Sequence, residues 1–211
     1  MIDFYTWSTP NGRKVSILLE ELGVPYTAHA IDITKDEQFD PAFLKIAPNN
    51  KIPAIVDQDT GLSLFESGAI MVYLAEKTGQ FLPTSGEHRA RVMEWLMWQM
   101  AGFGPMLGQT HHFVKFNRGK APYAEERFSK EARRLYGVLD TQLGKSEFVA
   151  GADYSIADMS IWPWASRFEW QGVDLGEFAN VARWYNMIAD RSATERGYHV
   201  PVQQPGGIPR P

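Results

Sequence analysis

The sequence predicts an α/β domain followed by an all-helical domain. Two observations carry this: every strand-like segment lies before residue 66, and from Glu87 onward apolar residues recur at helical spacing. A third is the composition around 81–86, a short Pro/Ser/Gly stretch where the two patterns meet. The expected domains are residues 1–80, a linker at 81–86, a helical domain at 87–200 and a Pro/Gly-rich tail at 201–211.

Met1 to Trp7 alternates apolar and polar residues as a strand does, then breaks at Ser8-Thr9-Pro10-Asn11-Gly12, a run of turn formers. Val15, Ile17, Leu18, Leu19 and Leu22 follow at helical spacing, and Gly23 with Pro25 supplies the stop. Tyr26 to Ile33 reads as a second strand, and Asp40-Pro41 caps a short helix through Ile46. Ile52 to Asp57 and Leu62 to Phe65 form a hairpin about the turn Gln58 to Gly61, after which Ser67 caps an apolar helix ending at Thr78-Gly79. In the second half, Glu87 to Phe116 is one long helix kinked at Gly102, Gly104 and Pro105, and Pro122 to Lys145 is another. Ser155-Ile156-Ala157-Asp158 is a capping box that opens an apolar helix, and Phe178 to Arg191 makes one more. The last twelve residues hold four prolines and two glycines, so an extended or disordered tail is expected.

Composition narrows the function. At 44% hydrophobic and 22% charged residues the chain is ordinary for a folded protein. A net charge of −4 without a basic block argues against nucleic acid and membrane surfaces. Met1 to Trp7 lacks the pattern of a secretory leader and no run approaches the ~18 apolar residues of a membrane span, so a cytoplasmic location is expected. There is no cysteine, which excludes disulfides, thiolate metal sites and a protein-borne dithiol motif. His111 and His112 are adjacent and cannot both face one ion from a helix, so no metal site is expected.

Three stretches, Ser8-Thr9-Pro10-Asn11-Gly12-Arg13-Lys14-Val15, Asn50-Lys51-Ile52-Pro53-Ala54-Ile55 and Phe65-Glu66-Ser67-Gly68-Ala69-Ile70, stand ahead of a helical half that contains Tyr154-Ser155-Ile156-Ala157-Asp158. Together they resemble the cytosolic glutathione transferases over about residues 1 to 200, whose layout is a thioredoxin-like N-terminal domain followed by an all-α domain. Thr9-Pro10-Asn11-Gly12, Pro48-Asn49-Asn50-Lys51, Gly104-Pro105-Met106-Leu107-Gly108-Gln109 and His111-His112-Phe113 are similar to the nu class. That likeness implies a disulfide reductase holding two glutathione molecules, or glutathione disulfide, in one site, and a homodimer.

Glutathione presents a zwitterionic γ-glutamyl end, a central thiol and a glycine carboxylate, and the sequence offers handles for each. Glu66 and Ser67 sit where a strand meets a helix start, so free backbone N–H groups favour the γ-glutamyl carboxylate while Glu66 takes the ammonium. The resemblance implies a cis Ile52–Pro53 bond that turns the Ile52 backbone toward the ligand's cysteinyl main chain, and it places Lys51 and Gln38 near the glycine carboxylate. Thr9 and Asn11, in the turn before the first helix, are the expected catalytic pair, with Asn11 also touching the ligand. A free thiol of pKa ~8.5 is only about 3% ionised at pH 7, and lowering it to ~6.5 needs about 2.7 kcal/mol of differential stabilisation. Tyr5 and Ser8 are rivals for that role. Arg127 matches a nu-class position that contacts glutathione from the helical side, and otherwise reads as a surface i,i+4 partner of Glu131. Trp95, Trp98, Trp162 and Trp164 read first as core.

The leading expectation is therefore reduction of small disulfides by two glutathiones, with no protein cysteine and no metal. The alternatives are conjugation to electrophiles or hydroperoxide reduction by the same thiolate, and a non-enzymatic regulator that retains the ligand pocket.

Overall fold

A computed structural model describes residues 1–211. Its first strand, β1 (Ile2–Thr6), buries Ile2, Phe4 and Thr6 on one face, as the alternation requires. The chain turns sharply, with the Thr9 N–H donating to the Trp7 carbonyl at 2.7 Å, into α1 (Pro10–Leu22). Thr9 caps α1 by accepting from the Gly12 N–H at 3.2 Å, Pro10 occupies the first turn, and Gly23 ends it in the left-handed conformation. β2 (Tyr26–Ala30) lies parallel to β1. It is shorter than the sequence indicates, because Ile33 already belongs to a tight helical turn capped by Asp32.

Asp40 accepts from the Ala42 N–H at 2.7 Å and caps α2 (Pro41–Leu44). The hairpin β3 (Ala54–Asp57) and β4 (Leu62–Phe65) completes a four-stranded sheet in the order β2-β1-β3-β4, with β3 antiparallel to both neighbours. α3 (Ser67–Thr78) follows. Here the expectation for Ser67 is corrected: the capping position is Glu66, at φ 71°, and Ser67 is the first helical residue. Its hydroxyl contacts Lys14 Nζ at 3.4 Å. The register Tyr5↔Ala54 and Ala54↔Phe65 brings the end of β1, the start of β3 and the end of β4 to one edge of the sheet. The N-termini of α1 and α3 therefore open beside each other.

The helical half contains α4 (Gly86–Trp98), α5 (Gly104–Thr110), α6 (Pro122–Leu143), α7 (Ile156–Ala165) and α8 (Ala179–Ala189). The first long helix contains two wide π-helical turns flanking α5, Gln99–Phe103 at the glycine-rich stretch where a kink was expected and His111–Phe116 beyond it. The capping box is complete. Ser155 and Asp158 bond reciprocally, and the buried Asp158 carboxylate also accepts from Val149 N–H and Trp184 Nε1, both at 2.9 Å. Trp162 and Trp164 are core residues, the first donating Nε1–H to the Tyr185 carbonyl at 3.0 Å. Trp95 and Trp98 are half-buried and meet edge to face.

One α-helix has no counterpart in the sequence reading: α9 (Ser192–Tyr198). The chain divides into two compact units, Met1–Leu82 with Asp190–Ile208 and Pro83–Ala189 with Pro209–Pro211. By packing, α9 thus joins the sheet-bearing unit, although by sequence it lies at the end of the helical half. Gly197 permits this, since a Cβ there would stand 2.7 Å from the Ile17 Cα. Arg13 Nε donates to the Tyr198 carbonyl at 3.1 Å with its guanidinium 3.7 Å from the Tyr198 ring centroid, and Ser16 Oγ donates to the Gly197 carbonyl at 2.7 Å. Arg191 pairs with Glu21 and Arg196 with Glu20. Beyond α9, the segment from 199 onward forms no helix or strand.

Candidate functional site

At the sheet edge where α1 and α3 begin, Asn11, Lys51, Ile52, Pro53, Phe65, Glu66 and Ser67 line a cleft of about 170 Å³. Of the residues expected to hold a ligand, the structure brings five together there: Asn11, Lys51, Ile52, Glu66 and Ser67. Pro53 and Phe65 complete the wall. The Ile52–Pro53 peptide is cis, as the resemblance implied.

Each wall has a local cause. Asn11 is the second residue of α1 and therefore stands at a helix N-terminus, where N–H groups lack intrahelical partners. Ser67 occupies the same kind of position on α3, so the positive dipole ends of both helices border the cleft. Glu66 holds a left-handed conformation that costs a non-glycine residue about 1–3 kcal/mol. It exposes its carboxylate beside the Ser67 N–H. An exposed acid next to a helix N-terminus is suited to an ammonium–carboxylate pair such as an amino-acid head. Lys51 is exposed at the opposite wall and can take a second carboxylate.

The rivals for activating a thiol separate on geometry. Tyr5 stacks on His29 with ring centroids 4.7 Å apart and tilts against Phe43, inside the cluster that Ala47 and Ala54 complete. It is absent from the cleft wall, and burial, with the Asp3 charge adding to it, raises its pKa above the usual phenol value. Ser8 Oγ accepts from Gln204 Nε2 at 2.8 Å, a contact made by the tail. Of the four, Asn11 lines the cleft, and Thr9, outside its wall, is the capping residue of α1 two positions earlier. The Thr9 oxygen accepts from Gly12 N–H, which leaves its O–H to donate elsewhere. Gly12 is obligatory here, because a Cβ would collide with Thr6 Oγ1 and the Trp7 carbonyl.

Two expected ligand residues lie outside this cleft wall. Gln38, in a tight turn at Glu37–Phe39, donates to Asp36 at 3.4 Å while its buried Oε1 has no hydrogen-bond partner. Arg127 is exposed on α6 and lines a separate groove of about 400 Å³ with Met106, Phe128, Lys130, Glu131 and Arg134. The i,i+4 alternative for Arg127 is electrostatic only: Glu131 is held bidentately by Arg134 at 2.8 Å through each oxygen, which holds its carboxyl below the ordinary value, and the Arg127 charge adds to that without a direct contact. His111 is stacked on Trp164 and meets Gln171 at 3.2 Å. Burial, with Arg167 adding to it, pushes its imidazole down to about 4, so it is a neutral core residue.

Lys14 and Gln204 were missed. A lysine one helical turn before Leu18 falls inside the buried stripe of α1, and that misplaced charge is the signal that could have singled out Lys14. Nothing local marks Gln204, whose contact with Ser8 spans nearly the whole chain.

Residues 2–76 match the N-terminal domain of glutathione S-transferases and residues 122–186 match their C-terminal domain. The chain belongs to the glutathione S-transferase family. Among relatives of this transferase, disulfide-bond oxidoreductase YfcG of Escherichia coli is 49% identical over 199 residues, covering 92% of this chain and 93% of that protein. A glutathione transferase family member from Pseudomonas fluorescens, with two glutathione bound, superposes with a TM-score of 0.88 at 42% identity, covering 95% of this chain and 93% of that one. A Pseudomonas putida glutathione transferase with one glutathione disulfide bound per subunit gives 0.88 at 39% identity, covering 95% and 91%. The chain has no helix long and apolar enough to cross a membrane.

Proposed function

We propose that this glutathione transferase reduces small disulfides with two glutathione molecules. The observation that carries the reading is the cleft itself: groups suited to both ends of the tripeptide meet at the N-terminus of α1, in a chain without a cysteine of its own. The relatives named as disulfide-bond oxidoreductases, and solved structures with two glutathiones or glutathione disulfide bound, support it.

In this reading Glu66 and Ser67 hold the γ-glutamyl end, the Ile52 backbone pairs with the cysteinyl main chain, and Lys51 and Gln38 take the glycine carboxylate. Arg127 takes a carboxylate of the second tripeptide. Thr9 and Asn11 donate to the sulfur, and with the α1 dipole they favour thiolate. The thiolate attacks one sulfur of the substrate disulfide, forming a mixed disulfide and expelling a thiolate that gathers a proton. The second glutathione, deprotonated, attacks the glutathione sulfur of that intermediate, releasing the second substrate thiol and glutathione disulfide. Two thiols are oxidised and one disulfide is reduced. Neutral donors suit this exchange, because nucleophilicity falls as thiol pKa falls and a moderate depression is best. The enzyme is proposed to be cytoplasmic and a homodimer.

Side-by-side turnover of 2-hydroxyethyl disulfide, an aryl halide and cumene hydroperoxide tests the choice. Disulfide reduction should dominate. Aryl conjugation running well ahead of it would replace this reading with a conjugating transferase, and ligand-induced stabilisation without turnover of any substrate would make the protein a glutathione-binding regulator.

A further inference from the structure

Lys14 is only 2% exposed, yet it stands on α1 with its Nζ 3.4 Å from Ser67 Oγ, directly behind the wall that faces the cleft. A lysine is rarely buried, and nothing in the chemistry above uses this one. Its contact with Ser67 has a fixed sense when the amine is charged. An ammonium has three donors and no acceptor, so Ser67 Oγ must accept from it. A neutral amine carries a lone pair and can accept the Ser67 O–H instead.

We infer that Lys14 is a positioning residue for the amino-acid carboxylate of glutathione, its buried ammonium holding Ser67 Oγ from behind and supplying positive charge behind the bound anion. Anion binding and protonation of Lys14 are then linked. This rests on the glutathione reading of the cleft and adds a residue and a pH dependence to it.

The surroundings fit a group balanced between its two forms. Burial pushes the Lys14 amine down to about 7, with the Glu66 carboxylate acting in the opposite direction. Other charges on α1 and on the elements near it are engaged elsewhere: Asp57 with Tyr73 and Lys77, Glu20 with Arg196, Glu21 with Arg191, Glu195 with His199, and Asp3 with His29. Arg13 lies against the Tyr198 ring, and Glu76 on α3 is exposed. A carboxylate arriving at Ser67 adds a negative charge close to Lys14 and raises its pKa, so the complex takes up protons that the free enzyme has released.

The test is calorimetric titration of the full chain with S-methylglutathione, which has no thiol to ionise, from pH 6 to 9 in buffers of different ionisation enthalpy. For the parent, affinity should weaken with rising pH by up to about tenfold per unit between the free and bound pKa of Lys14, with net proton uptake on binding near pH 8. Lys14→Met should bind more weakly below pH 7 and show neither the slope nor the uptake. Should that variant not fold, ¹⁵N-lysine spectra of the parent decide: one Nζ should titrate near neutrality and move to higher pH with ligand. A parent profile flat in pH, an equal slope in Lys14→Met, or a lysine spectrum that ligand leaves unshifted overturns the inference while leaving the cleft assignment intact. Absence of binding at every pH overturns the cleft assignment itself and the inference with it.

Discussion

At the N-terminus of α1, Asn11 and Ser8 differ in where they stand. Ser8 is tied to Gln204, whereas Asn11 faces the cleft. Asn11→Ala should therefore lower kcat for disulfide reduction by about 10- to 100-fold, the value of one or two hydrogen bonds to a charged sulfur. Its affinity for glutathione disulfide should change by less than about threefold. Ser8→Ala should alter turnover by no more than about threefold, because it removes only a contact to the tail. Steady-state kinetics with 2-hydroxyethyl disulfide and calorimetry with glutathione disulfide check all three. Lys14 also sets a stability profile. Its folded pKa of about 7 lies below its unfolded one, so above pH 7 the unfolded chain holds a proton that the folded chain has released. The folded state gains stability as pH rises from about 7 toward 10.5, and the penalty of burying the charge is fully present below that window. Denaturant unfolding of the parent and of Lys14→Met should diverge in slope across that range, the variant lacking the rise.

Among the elements, α7 and α9 depend most on single residues. Asp158 is fully buried and serves Val149, Ser155 and Trp184 at once. Asp158→Ala would strand these donors in the core at about 1–3 kcal/mol each, so a loss of about 3–5 kcal/mol is expected in denaturant unfolding. Gly197 lets α9 lie against the backbone of Ile17. Gly197→Ala should displace α9 at a cost of about 1–3 kcal/mol, seen as faster amide exchange in α9 and around Arg13 while the α6 core is unaffected. The capping box of α7 was legible from four consecutive residues, because its bonds are local. The start of α3 was not: Ser67 is the residue type that caps helices, yet its hydroxyl turns to a lysine 53 positions away, and Glu66 takes the capping position in a left-handed conformation.

Over the whole chain, the absence of cysteine makes the mechanism depend on a sulfur that diffuses in. Pretreatment with iodoacetamide, followed by its removal, should leave turnover unchanged. Glutathione disulfide at a hundred times its Kd should stabilise the folded state by about 2.7 kcal/mol, raising Tm by about 5–10 °C. Differential scanning fluorimetry reads the second, and residual activity reads the first.

What the amino-acid order determined by itself is whatever depends on neighbours along the chain. Alternation in β1, the Thr9-Pro10 and Asp40-Pro41 helix starts, the hairpin turn and the Ser155–Asp158 box all involve groups within a few residues of one another, so residue type and spacing suffice. The resemblance carried in Ser8–Val15, Asn50–Ile55 and Phe65–Ile70 also named five residues of one cleft. Only the tertiary structure decided which of Tyr5, Ser8, Thr9 and Asn11 face that cleft, that residues 190–208 return to the first unit, and that Lys14 lies behind Ser67. Each of these is a contact between groups far apart in sequence, made only once sheet register and helix packing bring them within reach.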